Sequence, residues 1–143
     1  MLNSASLTIR SGTWDQLSTE AKYIREQVFI EEQNIAAADE WDEMDAVAQH
    51  FIVYYDGQAV ATARLLPTHS IGRVAVLKDY RGLGLGKQLM RKVIECAQIQ
   101  QRPFVTLSSQ VHALGFYAAL GFMAEGEVYL DCGIPHQTMR YRF

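Results

Sequence analysis

A glycine-rich heptapeptide near the middle of the chain, Arg81–Lys87, constrains the fold more than any other segment. An apolar run, Ile71–Leu77, precedes it and is typical of a buried strand, and apolar residues at helical spacing follow it from Lys87 onward. Glycines let the backbone approach a ligand closely, and the free N–H groups at the start of a helix favour an anion. The pattern therefore predicts a strand, a turn and a helix that together hold a phosphate group, or else a glycine-rich turn without a ligand.

Two common phosphate-binding patterns do not fit this turn. A P-loop needs a first glycine separated by four residues from Gly-Lys, and then a serine or threonine, but Arg81 and Gln88 stand at those positions. A dinucleotide-binding GxGxxG pattern fails because its third glycine would fall on Lys87 or on Leu89. These failures argue against a nucleotide-binding protein of either kind.

A third pattern, Arg/Gln-x-x-Gly-x-Gly/Ala between a strand and a helix, is satisfied by Arg81, Gly84 and Gly86. In these residues the chain resembles the GCN5-related N-acetyltransferase (GNAT) family, in which the turn holds the pyrophosphate of CoA. The resemblance implies acetyl-CoA as co-substrate. It assigns the pyrophosphate contacts to the residues of the turn, namely Arg81, Gly82, Leu83, Gly84, Leu85, Gly86 and Lys87.

Two further segments extend the resemblance. In the family, the backbone of the strand before the turn pairs with the pantetheine arm, which implies contacts from Val74, Ala75 and Val76, or simply a buried strand. The segment Phe116–Phe122 resembles the family's Tyr-x-x-x-Gly-Phe motif. The resemblance makes Tyr117 the general acid that protonates the departing thiolate, and the alternative is a core aromatic.

The resemblance is closer to a subgroup of small bacterial members, the ElaA- and YjcF-like proteins. It rests on Ile24–Gln33, which looks like the subgroup's Arg-x-x-Val-Phe-x-x-Glu-Gln signature, and on Gly133–His136. It also rests on four polar residues between these segments: Glu40, Asp42, Asp45 and His50. Because these positions lie outside the CoA motif, we expect them to shape the acceptor pocket.

The general base is not evident from the motif. Many family members carry a glutamate on the strand before the turn, but Ser70–Leu77 contains no carboxylate. Glu32, His112 and His136, in that order of preference, are the candidates; each could instead be a solvated charge or satisfy a structural hydrogen bond. The substrate-binding set predicted here is Glu32, Asp42, Asp45 and His136. The acidic loop that contains the two aspartates could attract a cationic amine or could form a solvated face.

The pattern of strands and helices indicates a mixed α/β fold. Strands are expected at Ser6–Arg10, Phe51–Tyr55, Val60–Leu66, Ile71–Leu77, Phe104–Leu107, Glu127–Leu130 and Thr138–Arg142. Asp56-Gly57 predicts a two-residue hairpin turn between the second and the third of these strands. Helices are expected from Leu17 to about Glu32-Gln33, from Lys87 to Arg102, and at Ala113–Leu120, with a loop over Asn34–Gln49. The resemblance implies a mostly antiparallel, splayed central sheet flanked by helices, in one N-acetyltransferase domain that spans residues 1–143.

Composition and charge argue against several other classes of protein. The chain has 143 residues and a net charge of −3 without a run of Lys or Arg, which argues against nucleic acid as a partner. No apolar stretch approaches the roughly 20 residues that span a bilayer, and Met1–Gly12 lacks the features of a secretory signal. The two cysteines form no CxxC pair and no Cys/His cluster has zinc spacing, so we expect a cytoplasmic protein without a metal.

The function predicted from these residues is direct transfer of an acetyl group from acetyl-CoA to a primary amine, with a small molecule as acceptor. The alternative is a catalytically silent acyl-CoA-binding sensor or partner module. Exposed strands near the C-terminus could also pair in a homodimer, which is an expectation from the family.

Overall fold

The computed structural model describes residues 6–143, so residues 1–5 of the predicted domain and of the Met1–Gly12 segment lie outside it. The described chain forms a seven-stranded sheet in the order β1-β2-β3-β4-β5-β7-β6. The strands are β1 (Leu7–Gly12), β2 (Gln49–Tyr55), β3 (Gln58–Leu65), β4 (Ser70–Val76), β5 (Phe104–Gln110), β6 (Met123–Asp131) and β7 (Ile134–Arg142). The helices are α1 (Trp14–Arg25), α2 (Ala37–Glu40), α3 (Leu85–Ile99) and α4 (Leu114–Ala119).

One pair of neighbouring strands, β4 and β5, is parallel, and every other neighbouring pair is antiparallel. The parallel pair is joined at only two positions, Ser70 with Thr106 and Ile71 with Leu107. Beyond them the two strands diverge. The prediction of a mixed fold with a mostly antiparallel, splayed sheet is therefore confirmed.

Helices cover both faces of the middle of this sheet. Phe51, Ile52 and Val53 are consecutive in β2 and all have 0% exposure. Successive side chains of a strand point to opposite faces, so both faces are buried there. Helices α1 and α3 each contact β2, β3 and β4. The Asp56-Gly57 turn between β2 and β3 was predicted from the sequence, and both residues have the positive φ that a type I′ hairpin requires.

The first helix differs from its prediction in its last two turns. Its start is defined by a capping box, in which Thr13 and Gln16 exchange side-chain and backbone hydrogen bonds. The α-helix ends at Arg25 and continues as a π-helical segment over Glu26–Glu32, a wider helix that is frequent at functional sites. The segment predicted as a loop, Asn34–Gln49, contains α2 and a 3₁₀ turn at Glu43–Ala46.

A buried cluster of charges joins this segment to the sheet. Arg25 on α1 has 1% exposure, and it binds Glu40 and Asp45 at 2.7 Å each. Asp45 also accepts a hydrogen bond of 2.9 Å from Arg64 on β3. Removing one member of such a pair leaves an uncompensated buried charge, which costs about 3–5 kcal/mol. The cluster therefore holds α1, the segment after it and β3 in a fixed relation beside β4.

We expect Asp45→Ala to lower the free energy of unfolding by about 3 kcal/mol, because it leaves Arg25 and Arg64 without their shared carboxylate. Urea unfolding at pH 7 measures this loss. The exposed neighbour Glu43 provides the control, since Glu43→Ala should change stability by less than about 0.5 kcal/mol. Equal stability of the two variants would mean that the buried cluster does not support the fold.

Candidate active site

The divergence of β4 and β5 opens a cleft of about 800 Å³. Its walls come from β4, β5, the π-helical segment and the turn between β6 and β7. Eight residues of the predicted site line this one cleft: Glu32, Val74, Ala75, Val76, Arg81, His112, Tyr117 and His136. Gly82–Lys87 of the predicted pyrophosphate turn are not part of its lining. The fold thus brings together side chains that lie far apart along the chain.

The edge of β4 that faces the cleft carries backbone groups that β5 does not pair. The N–H of Leu77 donates to the Val60 carbonyl on β3 at 2.9 Å, so by alternation the polar groups of Val76 point to the open side. Ala75 pairs with Thr62 of β3, and its backbone groups accordingly turn away from the cleft. The pairing of β4 with β3 shifts register next to Arg73, which has a φ of +52°, and this irregularity changes the direction of β4. Buried backbone groups need partners, so this open edge is suited to an extended ligand.

The glycine-rich turn presents free N–H groups at the start of α3. Gly84 precedes the helix with a φ of +80°, a conformation that costs other residues about 1–2 kcal/mol. The first backbone bond of the helix runs from Gln88 N–H to Gly84 O at 3.1 Å, and no side chain caps this end. The N–H groups of Leu85, Gly86 and Lys87 therefore have no partner within the helix and can receive an anion.

Space at the turn also fits a phosphate group. A Cβ built on Gly82 or on Gly84 would meet no atom within 4 Å, so the backbone is open from outside at both residues. The predicted pyrophosphate site is therefore a positively polarised helix start with an uncovered approach.

Tyr117 on α4 lies at the inner side of the cleft with 9% exposure. Burial raises the pKa of its hydroxyl to about 12, so the group keeps its proton at neutral pH. Its ring also packs edge-to-face against Phe116 and Phe122. The two interpretations of this residue from the sequence, a proton donor and a core aromatic, are therefore compatible.

The two candidate histidines differ in how they are held. His136 on β7 is 9% exposed and stacks on Tyr129. Its Nδ1 lies 2.7 Å from the carbonyl oxygen of Ile134, which can only accept, so Nδ1 carries the proton and Nε2 is the accepting nitrogen of the neutral ring. His112 is exposed on the 3₁₀ turn Val111–Ala113 after β5. His136 thus has the orienting hydrogen bond that is typical of a general base.

Glu32, the first choice from the sequence for the base, is engaged in an ion pair. Both of its carboxylate oxygens accept from the Arg81 guanidinium, at 2.6 and 2.7 Å. The hydrogen bonds from Arg81 lower the pKa of Glu32, which makes this carboxylate a weaker base. The order of preference from the sequence therefore changes in favour of His136.

Asp42 and Asp45 do not line the cleft; they lie in the charge cluster behind it. Asp45 is 3% exposed and shared between Arg25 and Arg64, and Asp42 forms two hydrogen bonds with Arg64, at 2.7 and 2.9 Å. Their predicted role in binding the acceptor is corrected to a structural one, because their charges are already paired with arginines. The acidic loop is therefore largely neutralised from within.

Three further residues at the cleft carried no recognisable signal in the sequence. Arg73 joins the charge cluster to β4 through Glu40 and Asp42, at 3.2 and 3.3 Å. Asp131 and Cys132 come to the cleft at the turn between β6 and β7. The position of Asp131 and Cys132 depends on the pairing and register of β6 and β7, which bring the turn between these strands to the cleft.

Neither cysteine has the properties of an activated nucleophile. Burial raises the pKa of the Cys96 thiol, and desolvation together with the carboxylates of Asp131 and Asp39 raises that of Cys132. Both thiols are accordingly protonated at neutral pH. This is consistent with transfer that does not pass through a cysteine.

The fold and the cleft together define an acyltransferase that takes its acyl group from a CoA thioester. Residues 16–143 match the family model for the acetyltransferase (GNAT) domain, and the chain belongs to this family.

Relatives in several bacteria agree with this assignment. The chain is 34% identical over 124 residues to the uncharacterized N-acetyltransferase YjcF of Bacillus subtilis. The aligned region covers 84% of this chain and 89% of YjcF. The crystal structure of Escherichia coli ElaA has a TM-score of 0.85 and 30% identity, over 95% of this chain and 99% of ElaA. An acyl-CoA N-acyltransferase from Pseudomonas aeruginosa has a TM-score of 0.84 and 34% identity, over 95% and 99% of the two chains. The resemblance to the ElaA- and YjcF-like proteins is thus confirmed.

Residues 6–143 contain neither a candidate metal site nor a helix that could span a membrane. No group of three or more His, Cys, Asp or Glu side chains in that range could hold a metal ion. No helix within the same range is long and apolar enough to cross a membrane.

Stability should depend on pH through Asp42, whose pKa is lowered to about 2, chiefly by the hydrogen bonds from Arg64. A depressed pKa stabilises the fold above the ordinary value of 3.8, and this contribution is lost as the pH falls from about 4 towards 2. We expect Asp42→Asn to cost about 1 kcal/mol at pH 7. This is less than the roughly 2.4 kcal/mol that the shift alone implies, because solvent screens a side chain that is one-third exposed.

Urea unfolding of Asp42→Asn and of the wild type at several pH values checks this prediction. The substitution preserves the capping of the Glu43–Ala46 turn, since asparagine caps as well as aspartate does. The difference in stability should shrink between pH 4 and pH 2. A difference that stays constant over this range would contradict the assignment of the charge to Asp42.

Proposed function

We propose that the protein transfers an acetyl group from acetyl-CoA directly to a primary amine of a small molecule. The observation that carries the proposal is the open edge of β4, which lines the cleft together with Arg81, the first residue of the turn that leads to the uncapped start of α3. An extended amide-containing arm suits the strand edge, and a pyrophosphate suits the helix start. Acetyl-CoA carries both groups in one molecule.

The size of the cleft supports a small acceptor. Its volume of about 800 Å³ has to hold the pantetheine arm and the acyl group as well as the amine. Asp39, Asp131 and Cys132 line the end of the cleft that lies by the turn between β6 and β7. The two carboxylates favour a cationic amine in its approach.

His136 is proposed as the general base. An amine with a pKa near 10 is neutral in only about one molecule in a thousand at pH 7, which adds roughly 4 kcal/mol to the barrier. Nε2 of His136 is the accepting nitrogen, because Nδ1 is fixed by the Ile134 carbonyl. The imidazole first takes one proton from the ammonium group and releases it to solvent. The neutral amine nitrogen then attacks the thioester carbonyl carbon, and the imidazole takes a second proton from this nitrogen as the C–N bond forms.

We assign assistance to the departure of CoA to Tyr117, and stabilisation of the tetrahedral intermediate to β4. As the tetrahedral intermediate collapses, the C–S bond breaks and the sulfur leaves with the electron pair. Full proton transfer from a hydroxyl with a pKa of about 12 to a thiolate, whose conjugate acid has a pKa of about 8.5, would be uphill by roughly 5 kcal/mol. Tyr117 therefore donates a hydrogen bond to the sulfur, while the proton from the amine, held by His136, returns to the thiolate through solvent. The Val74 N–H is the proposed donor to the oxyanion.

A thermal-melt titration with acetyl-CoA tests the donor. Ligand at a hundred times its dissociation constant should add about 2.7 kcal/mol of stability, which corresponds to several degrees in Tm for a domain of this size. CoA should also raise the Tm, whereas ATP and NAD at equal concentration should raise it less. A cooperative melt that does not shift at saturating acetyl-CoA would contradict the proposal.

His136→Gln should lower kcat for any accepted amine by about 10²–10⁴, the usual contribution of a general base, with little change in the Kd of acetyl-CoA. A thiol-release assay measures kcat, and calorimetry measures Kd.

The matched control is His112→Gln, which alters the other histidine of the cleft. This variant should keep kcat within about threefold of the wild type. If the loss of kcat appears in His112→Gln and not in His136→Gln, the assignment of the base is wrong.

A further inference from the structure

Two adjacent residues at the end of the π-helical segment reach opposite walls of the cleft. Glu32 binds Arg81 at 2.6 and 2.7 Å, on the side of β4. Gln33 accepts a hydrogen bond of 3.0 Å from Gln110, the last residue of β5. All four side chains line the cleft. The end of the helix thus bridges the gap between the two diverging strands.

Arg81 also covers the strand edge on which the proposed function depends. Its Nε donates to the carbonyl oxygen of Val76 at 3.0 Å, and this oxygen faces the open side of β4. A pantetheine amide that pairs with β4 would need the same oxygen. Bound to Glu32, the guanidinium therefore stands where the ligand's own donor would lie.

We infer that the Glu32–Arg81 ion pair is a latch across the acyl-CoA site, which the incoming thioester opens by exchanging the Glu32 carboxylate for a phosphate group of CoA. This inference rests on the proposed function. Carboxylate and phosphate both match the planar fork of a guanidinium, and a phosphate group brings equal or greater negative charge. The exchange leaves Arg81 paired and releases the Val76 carbonyl. Glu32 is then a positioning residue that opposes binding of the donor.

The exposure of this ion pair suits exchange. The Arg81 and Glu32 side chains are 40% and 34% exposed, whereas those of Arg25 and Glu40 in the buried cluster are 1% and 3% exposed. Exposed pairs contribute little net stability because water and salt screen them, while breaking a buried pair is costly. Among the arginine pairs beside the cleft, Glu32–Arg81 is one that a ligand can replace at small cost.

Calorimetric titration of acetyl-CoA into Glu32→Gln tests the latch. We expect Kd to fall by about two- to fivefold, because Arg81 no longer has to leave a carboxylate. KM for acetyl-CoA should fall with it, while kcat should stay close to that of the wild type. The gain should be absent when the substitution is made in an Arg81→Gln background, since the partner of Glu32 is then missing.

Glu31→Gln is the matched control, because it removes an equal charge from the adjacent exposed position. Its Kd should stay within about 1.5-fold of the wild type. Equal affinity of the wild type and Glu32→Gln, or an equal gain in Glu31→Gln, would overturn the latch alone. A loss of kcat of a hundredfold or more in Glu32→Gln would overturn it as well and make Glu32 the base. No binding of acetyl-CoA to the wild type would instead overturn the proposed function, and the latch with it.

Discussion

The site depends on the failure of β4 and β5 to pair along their full length. Their ladder holds only two residue pairs, so beyond Ile71 the backbone groups on the β5 side of β4 face a cleft instead of a neighbouring strand. Unpaired backbone groups in a protein interior are costly, and a fold keeps them when a ligand or water completes the pairing. We propose that the acyl-CoA donor meets this need, with its arm acting as the missing strand. The glycine-rich turn follows this open strand after a short 3₁₀ turn at Lys78–Tyr80.

Two sets of ion pairs surround the cleft and differ in solvent exposure. The buried set, centred on Arg25, Asp45 and Arg64, holds the segment after α1 against β3 and β4. The exposed pair of Glu32 and Arg81 bridges the cleft at its mouth. Solvent exposure determines the role of each set of ion pairs. Breaking a buried ion pair is costly, whereas an exposed ion pair can be exchanged for a ligand at small cost. Ion pairs of arginine with carboxylates thus fix the structure beside the cleft and form an exchangeable contact at its mouth.

Local patterns in the chain predicted much of the fold. The Asp56-Gly57 hairpin, the strand before the turn and the helix after it depend on short-range preferences of glycine and on apolar spacing, and all three occur in the structure. The π-helical segment was not predicted, because apolar spacing does not distinguish it from an α-helix over two turns. The roles of Asp42 and Asp45 were also missed, since a run of acidic residues does not reveal that three arginines from distant elements neutralise it.

By itself, the sequence determined the position of the glycine-rich turn and the class of the protein. Both rest on a motif whose glycines and helix start act through the local backbone, so neighbours in sequence carry the whole signal. Only the tertiary structure decided which polar side chains are available to a substrate. Two examples are the pairing of Glu32 and the burial of Tyr117, which both depend on partners from other elements. Such contacts arise from strand order and register, because these bring together residues that no local preference connects.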